Sequence, residues 1–498
     1  MSAALVGVDG HPVEVEVRIS AQLPRIDIVG LPEASVRESA ARVRAAIGAV
    51  GERFPQSRVT VNLAPASLRK SGAALDLAIA VGILIASGAV PHDAAERLAF
   101  VGELALDGRL RPVRGALAMA LAARGAGCRA MIAPGACAGQ AALAPDLTVL
   151  AAANLGEVVT HLRGGDRLCA ADPATAPVAD ESVACMSEVR GQRLAKRALL
   201  IAAAGGHGTL LFGPPGAGKT MLARRLPGLL PPLAEAEMLE ATRIHGAAGL
   251  LPESGGAIRV RPFRAPHHTA SAAGLLGGGQ PLRPGEVSLA HTGVLFLDEL
   301  PEFERRIRES LRQVLEERAI VLSRAGQACR FPADFMLVCA ANPCPCGWHG
   351  SAVRDCRCDD ASVDRYRQRI SGPLLDRIDL HVAVPAQTWA EIDARADGET
   401  TSMLADRVLA ARVRQATRGV HCNARIGDRE LEALVQPTAG ARRLIGRAVD
   451  RLALSARSAR RILRVARTIA DLEGAETVAE GAVAEALGHR AERPARPV

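Results

Sequence analysis

The sequence predicts an α/β protein of several domains that ends in a helical one. Residues 1–165 alternate strand-like and helical runs, which is the pattern of one α/β domain. Residues 166–186 have little periodicity and predict a linker, and residues 187–395 form a second α/β region. Residues 396–498 are rich in Ala, Leu and Arg, which predicts a helical bundle. A chain of 498 residues has room for about three such domains.

The composition limits which partners the chain can bind. Its formal net charge of +8 fits a polyanion such as nucleic acid, although a solvated arginine-rich surface explains the charge equally well. With two Trp, one Tyr and eight Phe, the chain can hardly build the stacking platforms of single-strand-binding proteins. We therefore expect arginine to grip any nucleic acid at its phosphates, since 58 of the 61 basic residues are Arg.

The N-terminus and the apolar runs indicate a cytoplasmic protein without a membrane partner. No basic region precedes an apolar run at the N-terminus, as it would in a secretory signal. The longest apolar run, Leu77–Val90, falls short of the ~20 residues that span a bilayer. Eleven cysteines without an export signal favour thiols or a metal site over disulfides.

A glycine-rich loop between a strand-like run and a helical run predicts a phosphate-binding site. The loop has the form G-x-x-x-x-G-K-[ST], whose backbone amides and following helix bind the phosphates of a nucleotide. Its lysine, one of only three in the chain, supplies a compact charge that the planar fork of arginine cannot imitate. The alternative is a plain glycine-rich turn. The predicted nucleotide-binding residues are Gly213, Pro214, Pro215, Gly216, Ala217, Gly218, Lys219 and Thr220.

Two acidic residues follow the buried-strand run "GVLFL" and complete the predicted site. Asp298 is expected to hold Mg²⁺ together with the hydroxyl of Thr220. Glu299 is then the candidate catalytic base, which orients and deprotonates the attacking water. Without the glycine-rich loop, this acidic pair would be interpreted as a helix cap.

Two further residues are catalytic candidates in the same region. Asn342 ends the strand-like run "FMLVCAAN", where its amide could hold the water or the γ-phosphate, or could simply form a turn before Pro343. Arg377, between two aspartates, is either the cation that stabilises charge in phosphoryl transfer or part of a surface ion pair.

Four segments together resemble the magnesium-chelatase-like branch of the AAA+ ATPases: "GPPGAGKT", "GVLFLDELPEF", "CAANPCPCG" and "SGPLLDRIDLHVAV". The segment "RPFRAPHHTASAAGLLGGGQPLRPGE" narrows the resemblance to the YifB/ComM family. The resemblance implies a P-loop AAA+ core, ATP and Mg²⁺ as cofactors, and a homo-hexameric ring. It also implies that Asn342 is the sensor-1 residue and that Arg377 is an arginine finger inserted into a neighbouring subunit's ATP.

The C-terminal bundle is similar to the helical lid of these ATPases. The segment "SARSARRILRVARTIADLEG" resembles their sensor-2 helix, which assigns that role to Arg457, with Arg460 and Arg461 one turn further on. The segment "SEVRGQRLAKRAL" resembles the adenine-side segment and contains Gln192. A row of arginines at helical spacing predicts either a solvated face or a DNA-binding track: Arg457, Arg460, Arg464 and Arg467.

The N-terminal region resembles the peptidase-type domain of Lon, through "KSGAALDLAIA" and "VGELALDGRLRPVRGALAMALAARGAGCRAMIAP". The catalytic pair of that domain is missing. Ala74 stands where Lon proteases carry the nucleophilic serine, and the segment that would supply the lysine base has no lysine. A serine–lysine mechanism needs both groups, so we expect a scaffold or a binding surface rather than a protease.

Four cysteines form two C-x-C pairs nine residues apart: Cys344, Cys346, Cys356 and Cys358. Four thiolates can close a tetrahedral zinc site, and the loop between the pairs is long enough to fold back. The alternatives are buried or idle thiols, or a site in which His349 replaces one sulfur.

The resemblance leaves more than one class of function open. The first is an ATP-dependent hexameric DNA motor that translocates on single-stranded or branched DNA and promotes branch migration during natural transformation. Its candidate pore elements are residues 275–286 and the hairpin pattern of residues 319–331, in which Arg324 and Arg330 flank the turn. The alternatives are the motor subunit of a metal chelatase and a protein-remodelling ATPase.

Overall fold

The computed structural model describes residues 1–174, 184–252, 256–324, 327–351, 353–393 and 399–491. It has parallel sheets and a helical C-terminal region, which confirms the predicted α/β class. Within these ranges, no helix has the length and apolar character needed to cross a membrane. The domain boundaries and the Lon-like character of the N-terminal region stay predictions, and residues 175–183 of the predicted linker lie outside the described ranges.

The N-terminal region contains nine strands and six α-helices within its described residues. The strands are β1 (Ser2–Val6), β2 (Asp9–Ser20), β3 (Arg25–Val29), β4 (Arg58–Ala64), β5 (Leu98–Phe100), β6 (Glu103–Leu104), β7 (Leu110–Arg111), β8 (Ala130–Pro134) and β9 (Thr148–Ala152). The helices are α1 (Ala34–Arg37), α2 (Ser39–Ala49), α3 (Asp76–Ala86), α4 (Ala116–Gly125), α5 (Gly135–Ala141) and α6 (Leu155–Leu162). One sheet has the order β1-β2-β4-β3, and a parallel sheet has the order β5-β8-β9.

The N-terminal core explains the longest apolar run of the sequence. Most of that run folds as α3, whose residues are almost all buried, so its hydrophobicity serves packing rather than a membrane. At the start of α3, the buried carboxylate of Asp76 accepts hydrogen bonds from Ser39 and from Arg42 Nε at 2.7 Å. Ala74 also packs in the core.

The central region is built around one parallel sheet. Its strands and those of the nearby hairpins are β10 (Thr209–Phe212), β11 (Phe263–Arg264), β12 (Gly277–Gly278), β13 (Arg283–Pro284), β14 (Val294–Leu297), β15 (Ala319–Arg324), β16 (Gln327–Pro332), β17 (Met336–Ala341) and β18 (Leu380–Ala383). The helices are α7 (Arg193–Gly205), α8 (Lys219–Arg225), α9 (Glu235–Ala248), α10 (Ala272–Leu276), α11 (Glu286–Leu289), α12 (Arg305–Glu317), α13 (Asp360–Gln368) and α14 (Gly372–Leu375). The sheet order is β11-β14-β17-β10-β18, and every pair is parallel.

The C-terminal region is helical in its described residues, as predicted. A short helix, α15 (Trp389–Asp393), ends the central region, and the C-terminal helices are α16 (Thr401–Thr417), α17 (Leu431–Val435), α18 (Ala439–Leu452), α19 (Ala456–Glu473) and α20 (Glu480–Ala491). The side chains of Thr400, Thr438 and Ser455 cap α16, α18 and α19 by accepting a backbone N–H of the first turn. Helix α19 packs against α7, α16 and α20, which joins the bundle to the central sheet.

The arginine row on α19 does not form one continuous exposed face. Arg467 is fully buried and lies 3.0 Å from the carboxylate of Asp471, because its side of the helix faces the bundle. Arg460 and Arg464 both donate to Asp428, at 2.5 and 2.6 Å. The helical spacing therefore places Arg467 in the core and pairs Arg460 and Arg464 with Asp428, whose side chain is about half exposed.

The two candidate pore elements lie side by side. Strands β12 and β13 form one small hairpin, and β15 and β16 form a longer one. A Cβ placed on Gly277 would lie 2.9 Å from Leu322 Cδ1, so the two hairpins touch. The predicted turn residues 325 and 326, and the side chain of Arg324, lie outside the described part of the chain.

Candidate nucleotide-binding site

The parallel sheet brings three of the predicted site segments to one edge. In a parallel sheet, the carboxyl ends of neighbouring strands lie side by side, and ligands bind beyond them. Strands β14, β17 and β10 are neighbours, and they lead into Asp298, Asn342 and the glycine-rich loop, respectively. Segments that are far apart in sequence therefore meet at a single site.

The glycine-rich loop has a conformation that requires its glycines. A Cβ on Gly213 would lie 2.0 Å from the carbonyl oxygen of Val384, a distance that no side chain can accept. Gly216 and Gly218 have φ values of +78° and +90°, which L-residues with a side chain rarely adopt. Helix α8 begins immediately afterwards, at Lys219.

Lys219 is held by the loop itself and by the neighbouring strand end. Its Nζ donates to the carbonyl oxygens of Gly213 at 2.7 Å and Pro214 at 2.9 Å, and to Asn342 Oδ1 at 3.0 Å. Burial lowers the pKa of Lys219, and the nearby charges of Asp298 and Glu299 act in the opposite direction. The ammonium thus lies between the loop and the Asn342 amide.

Thr220 and Asp298 form the predicted metal-binding pair. Thr220 Oγ1 donates to Asp298 Oδ2 at 2.7 Å, and the other carboxylate oxygen, Oδ1, accepts from the backbone N–H of Glu299 at 2.9 Å. A hydroxyl and a carboxylate at this separation offer the hard oxygen donors that Mg²⁺ prefers, so the donor set fits the predicted ion.

Glu299 has a partner that sequence reasoning missed. His268 Nδ1 lies 3.2 Å from Glu299 Oε2, and the His268 ring lies 4.1 Å from that of His267. The chain segment that carries both histidines follows β11, the edge strand beside β14. The only sequence signal was the pair "HH" shortly after a short strand, and nothing local in it points to Glu299.

Gln192 lies beside the glycine-rich loop, whereas two predicted arginines lie elsewhere. Gln192 Nε2 donates to the carbonyl oxygens of Ala217 at 3.3 Å and Pro385 at 2.8 Å. Arg377 and Arg457 both donate to Glu316 Oε1, each at 2.5 Å. The two arginines therefore lie together at this carboxylate and not beside Lys219.

The two arginines belong to the opposite edge of the sheet. Arg377 comes just before β18, at the amino ends of the parallel strands, whereas the glycine-rich loop follows the carboxyl end of β10. A cavity of about 580 Å³ opens at this amino edge, and its lining includes Arg377, Glu316 and Arg461. Arg377 and Arg457 are therefore separated by the sheet from the glycine-rich loop of their own chain.

A buried ionic network fixes the backbone beside Arg377. Arg461 Nη1 donates to the carbonyl oxygen of Arg377 at 2.7 Å and to Asp379 Oδ1 at 2.5 Å, and Asp379 Oδ2 lies 3.0 Å from His207 Nδ1. Burial raises the pKa of Asp379, but the charge of Arg461 and the His207 contact outweigh it and hold that pKa well below its usual range. Helix α19 thus holds the segment that carries Arg377 in place through Arg461.

The four predicted cysteines come together. The sulfurs of Cys344, Cys346, Cys356 and Cys358 all lie within 4.8 Å of one another, and His349 is not a member of the cluster. Cys344 Sγ lies 3.4 Å from Cys346 Sγ and 3.7 Å from Cys356 Sγ, and the sulfurs of Cys346 and Cys356 are 3.5 Å apart.

Known proteins and family profiles are similar to this chain along nearly its whole length. Family profiles described as "Subunit ChlI of Mg-chelatase", "Magnesium chelatase, subunit ChlI" and "Magnesium chelatase, subunit ChlI C-terminal" match residues 15–136, 185–392 and 398–490. The competence protein ComM of Haemophilus influenzae is 42% identical, over 98% of this chain and 96% of its own length. The uncharacterized protein YifB of Escherichia coli is 40% identical over the same shares, and an uncharacterized protein of Mycobacterium tuberculosis is 44% identical over 98% and 97%. The chain belongs to the YifB/ComM family of magnesium-chelatase-like AAA+ proteins.

Proposed function

We propose that this protein is a ring-forming ATPase of the ComM type, which hydrolyses ATP with Mg²⁺ to move on DNA and to promote branch migration. The observation that carries the proposal is the meeting of Lys219, Thr220, Asp298, Glu299 and Asn342 at one sheet edge. The full-length similarity to the competence protein ComM supports DNA as the substrate class.

The roles follow from the chemistry of each group. The glycine-rich loop holds the phosphates with its amides, and Lys219 compensates the charge of the β- and γ-phosphates. Thr220 and Asp298 hold Mg²⁺, which supplies charge neutralisation at the phosphates. Glu299 accepts the proton of the attacking water, and Asn342 orients that water or the γ-phosphate without adding negative charge.

Replacing Glu299 by Gln is expected to lower the rate of ATP hydrolysis by about 10²-fold, because the amide keeps the size of the carboxylate but cannot accept the proton. ATP binding should persist, so ATP-bound protein should accumulate. The measurement is steady-state phosphate release, with bound ATP and ADP quantified after gel filtration. Glu302→Gln is the matched control, since Glu302 lies three residues on and pairs with Arg369 at 2.8 Å. Hydrolysis by Glu299→Gln at the parental rate would remove Glu299 from the mechanism.

The position of Arg377 and Arg457 supports assembly of several copies. Neither guanidinium lies at the phosphate site of its own chain, and both are held by Glu316 at the opposite edge of the sheet. A second copy that apposes this edge to the first copy's glycine-rich loop would complete the site with a cation. Closing this arrangement head to tail produces a ring, and we propose that the ring is a homo-hexamer.

The paired hairpins support a DNA-binding pore. The residues of the β15–β16 hairpin alternate, so that Cys329 and Phe331 are buried while Val321, Ser323, Ala328 and Arg330 are exposed. Arg283, on the adjoining hairpin, is also exposed. A ring presents such a surface once per subunit, so modest phosphate contacts gain strength by multivalency.

The combined substitution of Arg283 and Arg330 by Ala is expected to weaken DNA binding at all sequences and to flatten its salt dependence. Each lost phosphate contact should lower the slope of log K against log salt by about 0.7 to 0.9. The measurement is DNA-stimulated ATP hydrolysis and DNA affinity across a salt series, with single-stranded and branched DNA. Arg109→Ala, which removes an exposed arginine of the N-terminal region, is the control. An unchanged slope in the double variant would exclude this surface as the DNA contact.

The family profiles favour one alternative, because they are named for the ChlI subunit of magnesium chelatase. Such a motor would remodel a protein partner and would not need DNA. The discriminating test is the rate of ATP hydrolysis with and without DNA across the salt series. Stimulation that fades with salt supports the DNA motor, and its absence at every salt concentration supports a protein partner.

A further inference from the structure

We propose that the four-cysteine cluster binds one Zn²⁺ ion, and that this ion stabilises the conformation of the proposed nucleotide site. Nucleotide affinity then depends on zinc. The inference rests on the proposed phosphate site. It adds a metal-dependent support to that site, because the cysteine loop packs directly against the glycine-rich loop.

The sulfur positions fit a single tetrahedral ion. A zinc–sulfur distance of about 2.3 Å in a tetrahedron separates the sulfurs by about 3.8 Å. The sulfurs of Cys344, Cys346 and Cys356 are 3.4 to 3.7 Å apart, and all four sulfurs lie within 4.8 Å of one another. The backbone N–H groups of His349 and Cys358 donate to Cys344 Sγ and Cys356 Sγ, each at 3.4 Å, and such donors stabilise thiolates that bind a metal.

The cysteine loop reaches the glycine-rich loop through Gly347. This residue has φ +84°, and a Cβ placed on it would lie 2.5 Å from Pro215 Cδ. Only a glycine permits the Gly347 backbone to lie this close to the Pro215 ring. Cys344 is fully buried and comes two residues after Asn342, which accepts the hydrogen bond from Lys219. The cluster therefore adjoins the phosphate site on two sides.

The described residues between β17 and α13 include no helix or strand that could hold this loop in shape. A zinc ion would join the Cys344–Cys346 end of the loop to the Cys356–Cys358 end and remove much of its conformational freedom. When the ion is lost, Gly347 can leave Pro215, and the phosphate site is competent for only part of the time. The apparent affinity for nucleotide then falls by the competent fraction.

The test uses the purified full chain, with zinc measured by elemental analysis and nucleotide affinity measured with mant-ADP and Mg²⁺. We expect one zinc per chain in the parent and none in the Cys356→Ser, Cys358→Ser double variant, whose affinity should fall by about tenfold. Cys169→Ser, which removes an exposed cysteine outside the cluster, should change neither quantity. Gly347→Ala should keep zinc but lose affinity, because it pushes Pro215 away without touching a ligand.

A reversible measurement guards against misfolding of the double variant. The parent is stripped of zinc with a chelator, desalted into Mg²⁺ and titrated with mant-ADP before and after zinc is returned. Weak mant-ADP binding that recovers when zinc is returned supports stabilisation of the site by zinc. Equal binding with and without zinc overturns it. Less than one zinc per two chains in the parent overturns the metal site. A parent that holds zinc but binds no nucleotide would instead overturn the proposed ATPase and leave the metal site standing.

Discussion

Replacing Arg377 by Ala is expected to lower the rate of ATP hydrolysis by about 10³-fold, because the cation that stabilises the transferred phosphoryl group is lost. Nucleotide binding should change by less than about threefold, since Arg377 lies across the sheet from the glycine-rich loop of its own chain. The substitution removes one of the two arginine partners of Glu316, and the other partner, Arg457, remains at 2.5 Å. The rate loss should therefore come from a missing catalytic contact and not from a damaged fold.

The measurement for Arg377→Ala is steady-state ATP hydrolysis beside the affinity for mant-ADP. Arg407→Ala is the matched control, because it removes an exposed ion pair with Glu399 at 3.3 Å at the surface of the C-terminal helical region. That control should retain its rate within about twofold. If Arg377→Ala also kept the parental rate, Arg377 would be only a member of an ion pair.

Replacing Lys219 by Ala is expected to abolish nucleotide-driven activity, with a rate loss of at least about 10³-fold. The ammonium is the cation that touches the loop, and its pKa is lowered by burial in the site it serves. Its removal leaves the carbonyl oxygens of Gly213 and Pro214 without this donor and the phosphates without a charge partner. Mant-ADP affinity should fall as well, in contrast to Arg377→Ala. The control is Arg224→Ala, which removes a positive charge from the exposed side of α8.

Mixing the two inactive variants tests whether the site is shared between copies. In a random mixture, about one interface in four pairs an intact glycine-rich loop with an intact arginine. We expect the mixture of Lys219→Ala and Arg377→Ala chains to recover up to about a quarter of the parental rate, provided that subunits exchange. A mixture shown by native mass spectrometry to contain mixed assemblies, yet with no activity, would overturn the shared site.

Much of the nucleotide site could be predicted from the sequence because its signals are local. The glycine-rich loop needs glycines for its backbone shape, and the whole motif lies in eight consecutive residues, Gly213–Thr220. Asp298 and Asn342 each follow a short apolar run that predicts a buried strand. Because the carboxyl ends of parallel strands lie at the same edge of a sheet, the two residues are expected to lie close together. The cysteine spacing was equally readable, although it left open which sulfurs meet.

Other parts of the site had no local signal. His268 meets Glu299 only because β11 and β14 are neighbours in the sheet. The arginine row on α19 looked continuous, but the packing of the bundle buries Arg467 and pairs Arg460 and Arg464 with Asp428. Helical periodicity fixes how side chains are spaced, and it does not say which of them will face a neighbour.

The sequence by itself determined the α/β class, the glycine-rich loop, the acidic pair and the cysteine quartet, because each depends on residue types at short spacing. Only the tertiary structure decided that Arg377 meets Arg457 across Glu316 and that Gly347 rests on Pro215. These contacts join residues far apart in the chain, and they form only when strand order and helix packing fix the distances between them.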